Sequence, residues 1–544
     1  MRRRGFAAGI ALALLAAAPA AAVEPSAFSQ LAGASGCLMQ IDYEVDHGCS
    51  RVGGLAGAQG VTVSPDDRFV YVASGGTLSE GSNGVVYFAR DTRTGALTRA
   101  GCVTANGGDG RVGTEGSCAR GDALLGAAEV ALSPDGLTAY VASAVSGGLA
   151  WMTRDPQSGA LTPAGCVKDF PRADHCREVS LLTGATAVAV APDGRDVYVA
   201  SPVTASLHAL RRDANGLTRV QCLAETGGDG ACDPASGIQD VRDVAVAPDG
   251  RAVYVAGGSG AVAAFARDPA TGRLTQAGCL LDQAPDTGPC QDAGGIAGAA
   301  GVAVSPDGRD VYVAGRDSEA VASFRVQPDG ALKETGCLQR VPSDREDGSA
   351  PDKRCTPATA LWGPGVVVVS ADGRTVFAGG QDTITSYRRD PQTGTLEQLG
   401  CAEEDQTSED CLEVRATLGV NALAATADGR NVYVTADAEN AVTVLGAAVA
   451  VAARATRAGH AGRFRVRLSC PRARTRACAG RVRAGRGAAR AYRIRPGRHA
   501  HVRLRLEARA RRTLARHARV RVTVRATDRA LRATKRRVLV QSGA

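Results

Sequence analysis

Short apolar runs of four to six residues, each closed by a turn of the Pro-Asp-Gly type, recur seven times along the first four-fifths of the chain. In each unit a run such as Val302–Ser305 leads through the turn into Val-Tyr-Val-Ala, then into a third run such as Val262–Ala266 that ends in Arg-Asp-Pro-x-Thr-Gly. A fourth run, Leu-Thr-x-x-Gly, delivers the chain to a cysteine, as from Leu274 to Cys279. β-Branched and aromatic residues in short runs, bounded by Asp-Gly turns, predict antiparallel strands joined by tight reversals. The turn positions are Pro65, Pro134, Pro192, Pro248, Pro306, Ala371 and Ala427, and six residues after each comes Tyr71, Tyr140, Tyr198, Tyr254, Tyr312, Phe377 or Tyr433. A period of 56 to 69 residues built from such strands predicts an all-β, seven-bladed β-propeller with four-stranded blades.

The fourth runs predict how the ring closes. They begin at Leu97, Leu161, Leu217, Leu274, Leu332 and Leu396, but the seventh repeat stops at Leu445 without one. Ala27–Leu31, leading into Gly36 and Cys37, has the missing pattern at the other end of the chain. The N-terminal strand is therefore expected to complete the last blade and remove a free sheet edge.

Beyond residue 446 the pattern changes. Arg463–Leu468, His501–Leu506 and Val520–Val524 alternate polar and apolar with period two, which predicts half-buried strands of a small C-terminal β-sandwich over 460–544. An Ala-rich linker is expected at 447–459, and an amphipathic helix around 508–517. Residues 1–22 have the order of a signal peptide: Arg2 to Arg4, an apolar run from Ala7 to Ala18, then small residues to Ala22. The propeller is thus assigned to 23–446.

Charge divides along the same boundary. Residues 447–544 hold 29 Lys and Arg against two acids, Glu507 and Asp528, whereas the rest of the chain is acidic. Such a basic domain suits an anionic cell-envelope polymer, with no nucleic-acid module among its motifs. The 16 cysteines imply an oxidising, secreted or envelope-associated location. They fall into local pairs: Cys37 with Cys49, Cys102 with Cys118, Cys166 with Cys176, Cys222 with Cys232, Cys279 with Cys290, Cys337 with Cys355, Cys401 with Cys411, and Cys470 with Cys478. Without Cys-x-x-Cys doublets, and with only His47 and His175 near propeller cysteines, no metal and no cofactor is expected. The Asp/Gly runs, Gly107–Gly110, Gly227–Gly230 and Ser343–Asp347, read as turns rather than calcium loops.

Polar residues at the starts of the first strands can reach the channel mouth. Glu129 and Asp243 are candidate general bases with Arg242 as an electrostatic partner, and Gln59, Thr186 and Asn421 are candidate binding residues.

The Ser-Pro-Asp-Gly-Arg-x-Val-Tyr-Val-Ala phrases, with Arg-Asp-Pro-x-Thr-Gly-x-Leu-Thr between them, resemble the YVTN-type repeats of the lactonase-like seven-bladed propeller family over residues 27–446. That resemblance implies the fold, and it implies His, Arg and Glu at the channel in catalytic members. Here the propeller holds only His47, His175 and His208, none at the start of a first strand, and no His-Pro or Pro-His-x-His stretch. The tail looks like the Arg-rich immunoglobulin-like modules of secreted proteins. The leading expectation is accordingly a monomeric, disulfide-stapled binding or scaffold module. Its protein, glycan or small-molecule ligand would sit on the cysteine-loop face, with no transmembrane segment. The alternative is a lactonase-like hydrolase or isomerase acting at the central channel.

Overall fold

A computed structural model describes residues 27–542 except 44–46, 77–80, 112, 171–174, 214–215, 226, 228–229, 286–287, 341–351, 405–410, 449, 452–454, 459–461, 471–476, 496–497, 518 and 529–533. The signal-peptide segment, the Ser343–Asp347 run and part of Gly227–Gly230 lie outside the described residues.

Seven antiparallel sheets form the propeller, and their innermost strands are Ala58–Val63, Ala127–Leu132, Ala187–Val190, Val241–Val246, Ala299–Val304, Pro364–Val369 and Val420–Ala425. Each inner strand packs beside that of the next blade, and the seventh packs beside the first. The Val-Tyr-Val-Ala second strands are buried on both faces, so the repeated aromatic lies in the core between blades.

Every blade, the last included through Ser50–Val52, has an additional short strand beyond the expected four. A short segment after the second cysteine, such as Ala119–Arg120 or Gln291–Asp292, pairs parallel with the fourth strand. The cause is the staple. All eight consecutive cysteine pairs are bonded, and each propeller disulfide pins the returning loop against the fourth strand, covering its edge.

The last blade closes with N-terminal chain. Ala27–Gln30 pairs with Leu445–Ala448, and after a short turn Cys37–Met39 pairs with Ala441–Thr443 of the same strand, Ala441–Ala448. Phe28 meets Phe377 edge-on, with ring centroids 4.8 Å apart.

The repeated residues also lock blade to blade. Tyr198 donates its hydroxyl to the Gly272 carbonyl of the next blade at 3.2 Å, and Arg267 of that blade donates Nε to the Tyr198 oxygen at 2.9 Å. The same guanidinium reaches turn residue Asp193 at 2.8 Å, Asp196 at 2.5 Å and the Gly250 carbonyl at 2.7 Å. Arg154 repeats this on Tyr71 and Asp66, Arg389 on Tyr312 and Asp307, and Arg90 on Tyr433 and Asp428. Phe377, which has no hydroxyl, faces the N-terminal closure instead of an arginine.

The C-terminal residues form two sheets over one core. A three-stranded sheet of Ala450–Val451, Arg463–Ser469 and His499–Arg505 packs against a five-stranded sheet of Ala455–Ala458, Thr534–Ser542, Arg519–Asp528, Cys478–Ala484 and Arg490–Ile494. Phe464, Val466, Leu468, Val482, Tyr492, Ile494 and Val524 fill the space between them. The helix spans Ala508–His517 and inserts Leu514 into this core. Two short strands, Ala450–Val451 and Ala455–Ala458, come from the segment read as a linker.

Arg267→Ala should cost about 3–5 kcal/mol, because it takes a buried guanidinium away from the Tyr198 hydroxyl, Asp193 and the fully buried Asp196 carboxylate, which keeps only Arg211 as its cation. Arg273→Ala, which removes an exposed pair with Asp233, should stay within about 1 kcal/mol of the parent. Denaturant unfolding of the two variants checks the difference; equal losses would remove the clasp from its structural role.

Candidate functional site

Inner strands approach so closely that small residues line most of the channel wall. A Cβ at Gly60 would meet the Ala128 carbonyl oxygen at 2.6 Å and the Glu129 Cα at 2.7 Å, and one at Gly301 would meet Gly365 and Val366 backbone at 2.9 Å. Five residues before the turn position, the blades carry Gly60, Glu129, Ala187, Asp243, Gly301, Val366 and Ala422. Two carboxyl groups therefore project into a channel whose other positions at that level are apolar.

Glu129 and Asp243 belong to the second and fourth blades. Each reaches the inner strand of the following blade: Glu129 Oε2 accepts the Val188 N–H at 2.7 Å, and Asp243 Oδ2 accepts the Val302 N–H at 2.8 Å. Asp243 Oδ1 also accepts the Val244 N–H at 2.8 Å. Burial pushes the Glu129 carboxyl up to about 8, with the Asp243 charge adding to the shift. Burial likewise raises Asp243, to about 6, against the opposing pull of its two backbone N–H donors. Asp243 ionises first, so its charge holds the Glu129 proton in place. Both carboxyls are thus biased toward their neutral forms, Glu129 the more so.

The structure separates Arg242 from this pair. A register shift between Val241 and Asp243 leaves Arg242 as the extra residue of a bulge, which turns its side chain away. Its guanidinium donates to Asp240 at 2.7 and 2.9 Å and is exposed at the channel mouth. The same irregularity at Ala128 precedes Glu129. Gln59 is half-buried and its carbonyl accepts the Thr435 hydroxyl. The Thr186 hydroxyl is buried without a partner among the described residues. Asn421 is exposed. No hydrogen bond among the described residues joins Gln59, Thr186 or Asn421 to the acidic pair.

The histidines lie elsewhere. His208 is buried, donates Nε2–H to the Leu181 carbonyl at 2.9 Å with Ser206 Oγ 3.0 Å away, and is pushed down to about 4 by desolvation. His175 is almost fully exposed near Asp122. His47 Nε2 is 2.9 Å from Glu439, and its Nδ1 is 3.3 Å from Glu404. Both carboxylates also accept backbone N–H groups, Glu404 from Ala416 and Thr417 and Glu439 from Leu418. This trio is the described group with a donor set that could hold a metal ion. As placed, each ring nitrogen serves one carboxylate, and a cation would have to displace one of those contacts. Sequence reasoning passed over Glu404 and Glu439 because only ring closure brings loops of the sixth and seventh blades beside the first cysteine loop.

The cysteine-loop face also exposes apolar residues. Val145, Phe170, Val203 and Leu418 are solvent-facing there, and Trp362 is covered by the Arg340 guanidinium 3.5 Å from its ring centroid.

The family model described as "Lactonase, 7-bladed beta-propeller" matches residues 122–284 and 279–411, more than half of the chain. The chain belongs to this lactonase family. Its membership favours the catalytic alternative over a scaffold without activity. No curated protein matches the sequence. Similar solved structures include a periplasmic gluconolactonase from Pseudomonas aeruginosa, 22% identical with TM-score 0.45, covering 69% of this chain and 96% of that one. A candidate 6-phosphogluconolactonase from Bacteroides uniformis is 20% identical with TM-score 0.45, covering 65% and 84%. Kuenenia stuttgartiensis hydrazine synthase is 17% identical with TM-score 0.44, covering 74% and 98%.

A carboxyl group whose folded pKa is raised contributes stability that is full below its unfolded pKa, near 4.5 for Glu129, and is lost as pH rises toward about 8. Glu129→Gln keeps an acceptor for the Val188 N–H and removes the ionisation. Its Tm should match the parent in mild acid and exceed it by a growing margin through pH 8. A margin that does not change with pH would show that Glu129 ionises as freely as a surface carboxyl.

Proposed function

We propose that the protein is a lactonase-like hydrolase that opens a cyclic ester at the channel, with Asp243 as general base and Glu129 as general acid. The observation that carries this reading is the pair of carboxyls on the second and fourth inner strands, each held by a backbone N–H of the following strand and each raised by burial, Glu129 further by the Asp243 charge. Asp243, ionised at neutral pH, takes a proton from the attacking water. Glu129, still protonated, gives its proton to the ring oxygen as the ester C–O bond breaks. Groups whose environments drive their pKa values apart are suited to opposite roles in proton transfer. Arg242 at the mouth supplies a cation for an anionic substituent on the substrate, since lactones of sugar acids and their phosphates carry such groups or develop them on opening.

The surroundings support this reading. Both acids remain half-buried rather than sealed, which leaves them within reach of solvent water. The cysteine loops that frame the mouth are each tied by a disulfide, which keeps the entrance ordered before binding. Eight disulfides fit an oxidising compartment. Among the described residues, no helix is long and apolar enough to cross a membrane.

Hydrolysis of a panel of γ- and δ-lactones should follow a bell-shaped pH profile, rising as Asp243 ionises and falling as Glu129 does. Asp243→Asn and Glu129→Gln should each lower kcat by about 10²–10⁴-fold, with folding retained by thermal melt. Arg242→Gln should raise KM for anionic lactones more than it lowers kcat. Turnover that survives both carboxyl substitutions would exclude the channel pair as the catalytic groups.

A further inference from the structure

In the C-terminal domain the outer face of the three-stranded sheet sets basic side chains opposite basic side chains. Arg463 stands across from Arg505, Arg465 from Arg503 and Arg467 from His501. The alternating neighbours Phe464, Val466, Leu468 and Leu504 are buried in the core, so the period of two holds this charged set outward. Arg463, Arg465, Arg503, Arg505 and His501 are exposed, and Arg467 is half-buried. Like charges directly opposite one another work against a sheet. The domain has just two acids to offset them, and one of these, Glu507, faces the Arg486 backbone N–H. Basic groups set in register along one sheet face concentrate positive charge there, which favours an external anion over that face.

The geometry narrows what that anion is. Rungs of paired cations repeat at every second residue, about 6.8 Å apart along strands roughly 4.8 Å from each other. That makes a straight track suited to a linear polymer with one negative charge per short repeat. Phe464 and Tyr492, the domain's Phe and Tyr side chains, are buried in its core, so no Phe, Tyr or Trp platform is presented for successive bases, such as single-stranded nucleic acid binding uses. The helix turns Leu514 into the core and packs on its own domain rather than standing clear to enter a groove. We propose that the face formed by Arg463, Arg465, Arg467, Arg503 and Arg505 binds a linear anionic glycopolymer, recognised by charge spacing alone, and so tethers the propeller to it. This site is separate from the channel and independent of whether the channel hydrolyses lactones.

Binding of the full chain to poly(glycerol phosphate), to polygalacturonate and to oligothymidylate of matched charge, followed by fluorescence anisotropy across a salt series, tests the proposal. The two base-free polymers should bind, phosphate and carboxylate arms telling which charge is preferred, with log K falling by about 0.7 per contact for each unit of log salt. The combined variant Arg463→Gln, Arg465→Gln, Arg503→Gln, Arg505→Gln should lose at least about tenfold in affinity and nearly three units of that slope. An equal-charge control, Arg481→Gln, Arg483→Gln, Arg490→Gln, Arg493→Gln, alters exposed arginines of the other sheet and should bind within a few-fold of the parent. The first variant should also melt higher than the parent at low salt, a gain that fades at high salt. Equal losses in both variants would reduce the effect to net charge and overturn the proposal. So would tighter binding to oligothymidylate, failure of the parent to bind either glycopolymer, or a salt-independent fall in Tm of the first variant.

Discussion

A buried arginine from each of four blades enters the preceding blade and satisfies three kinds of partner at once: a tyrosine hydroxyl, a turn aspartate and a backbone carbonyl. Arg90, Arg154, Arg267 and Arg389 are all nearly inaccessible, a position that a guanidinium tolerates only when its donors are matched. These clasps hold the blades together at the turn end of the ring. They also explain why the repeated phrase keeps Tyr and Asp at fixed spacing, since both are halves of a contact completed by the neighbour. Tyr254, whose hydroxyl is buried without a partner, lies at an interface where the next blade has Val326 in place of the arginine. The ring is thus clasped by a buried arginine at some seams and held at others without one.

Fastening one end leaves the other free to vary. Disulfides take over at the cysteine-loop face, where the loops differ in length and sequence. Between the two ends the inner strands are drawn into close approach, which leaves room for glycine, alanine and two carboxyl groups. The raised pKa values of Glu129 and Asp243 follow first from that crowding, and for Glu129 also from the Asp243 charge. Chemistry in the channel is in this sense a product of how tightly the wheel is closed.

The wheel itself was legible in the chain because strands, turns and cysteines repeat in phase. Residues 27–31 could be assigned to the last blade by counting fourth strands, and the cysteine pairs by their equivalent places in the repeat. Fifth strands were not legible, since two residues such as Arg177–Glu178 carry no periodicity; only the staple places them beside a partner. The position of Arg242 was misread for a different reason. Sequence adjacency to Asp243 suggested a pair, but a bulge turns consecutive residues to different surroundings, and bulges leave no mark in composition. Glu129 and Asp243 were found from their place in the repeat, whereas their interaction across a blade depends on the ring's curvature. The trio of His47, Glu404 and Glu439 depends on closure in the same way.

Every disulfide joins a cysteine to the next one along the chain, at sequence separations of 8 to 18 residues. A chain that emerges from its N-terminus therefore never needs to keep a thiol waiting for a distant mate. When the second cysteine of a loop appears, its proper partner is the one unpaired thiol already exposed. Oxidation can keep pace with emergence and needs no later reshuffling, while the final blade, which requires residue 27 and residue 448 together, forms last.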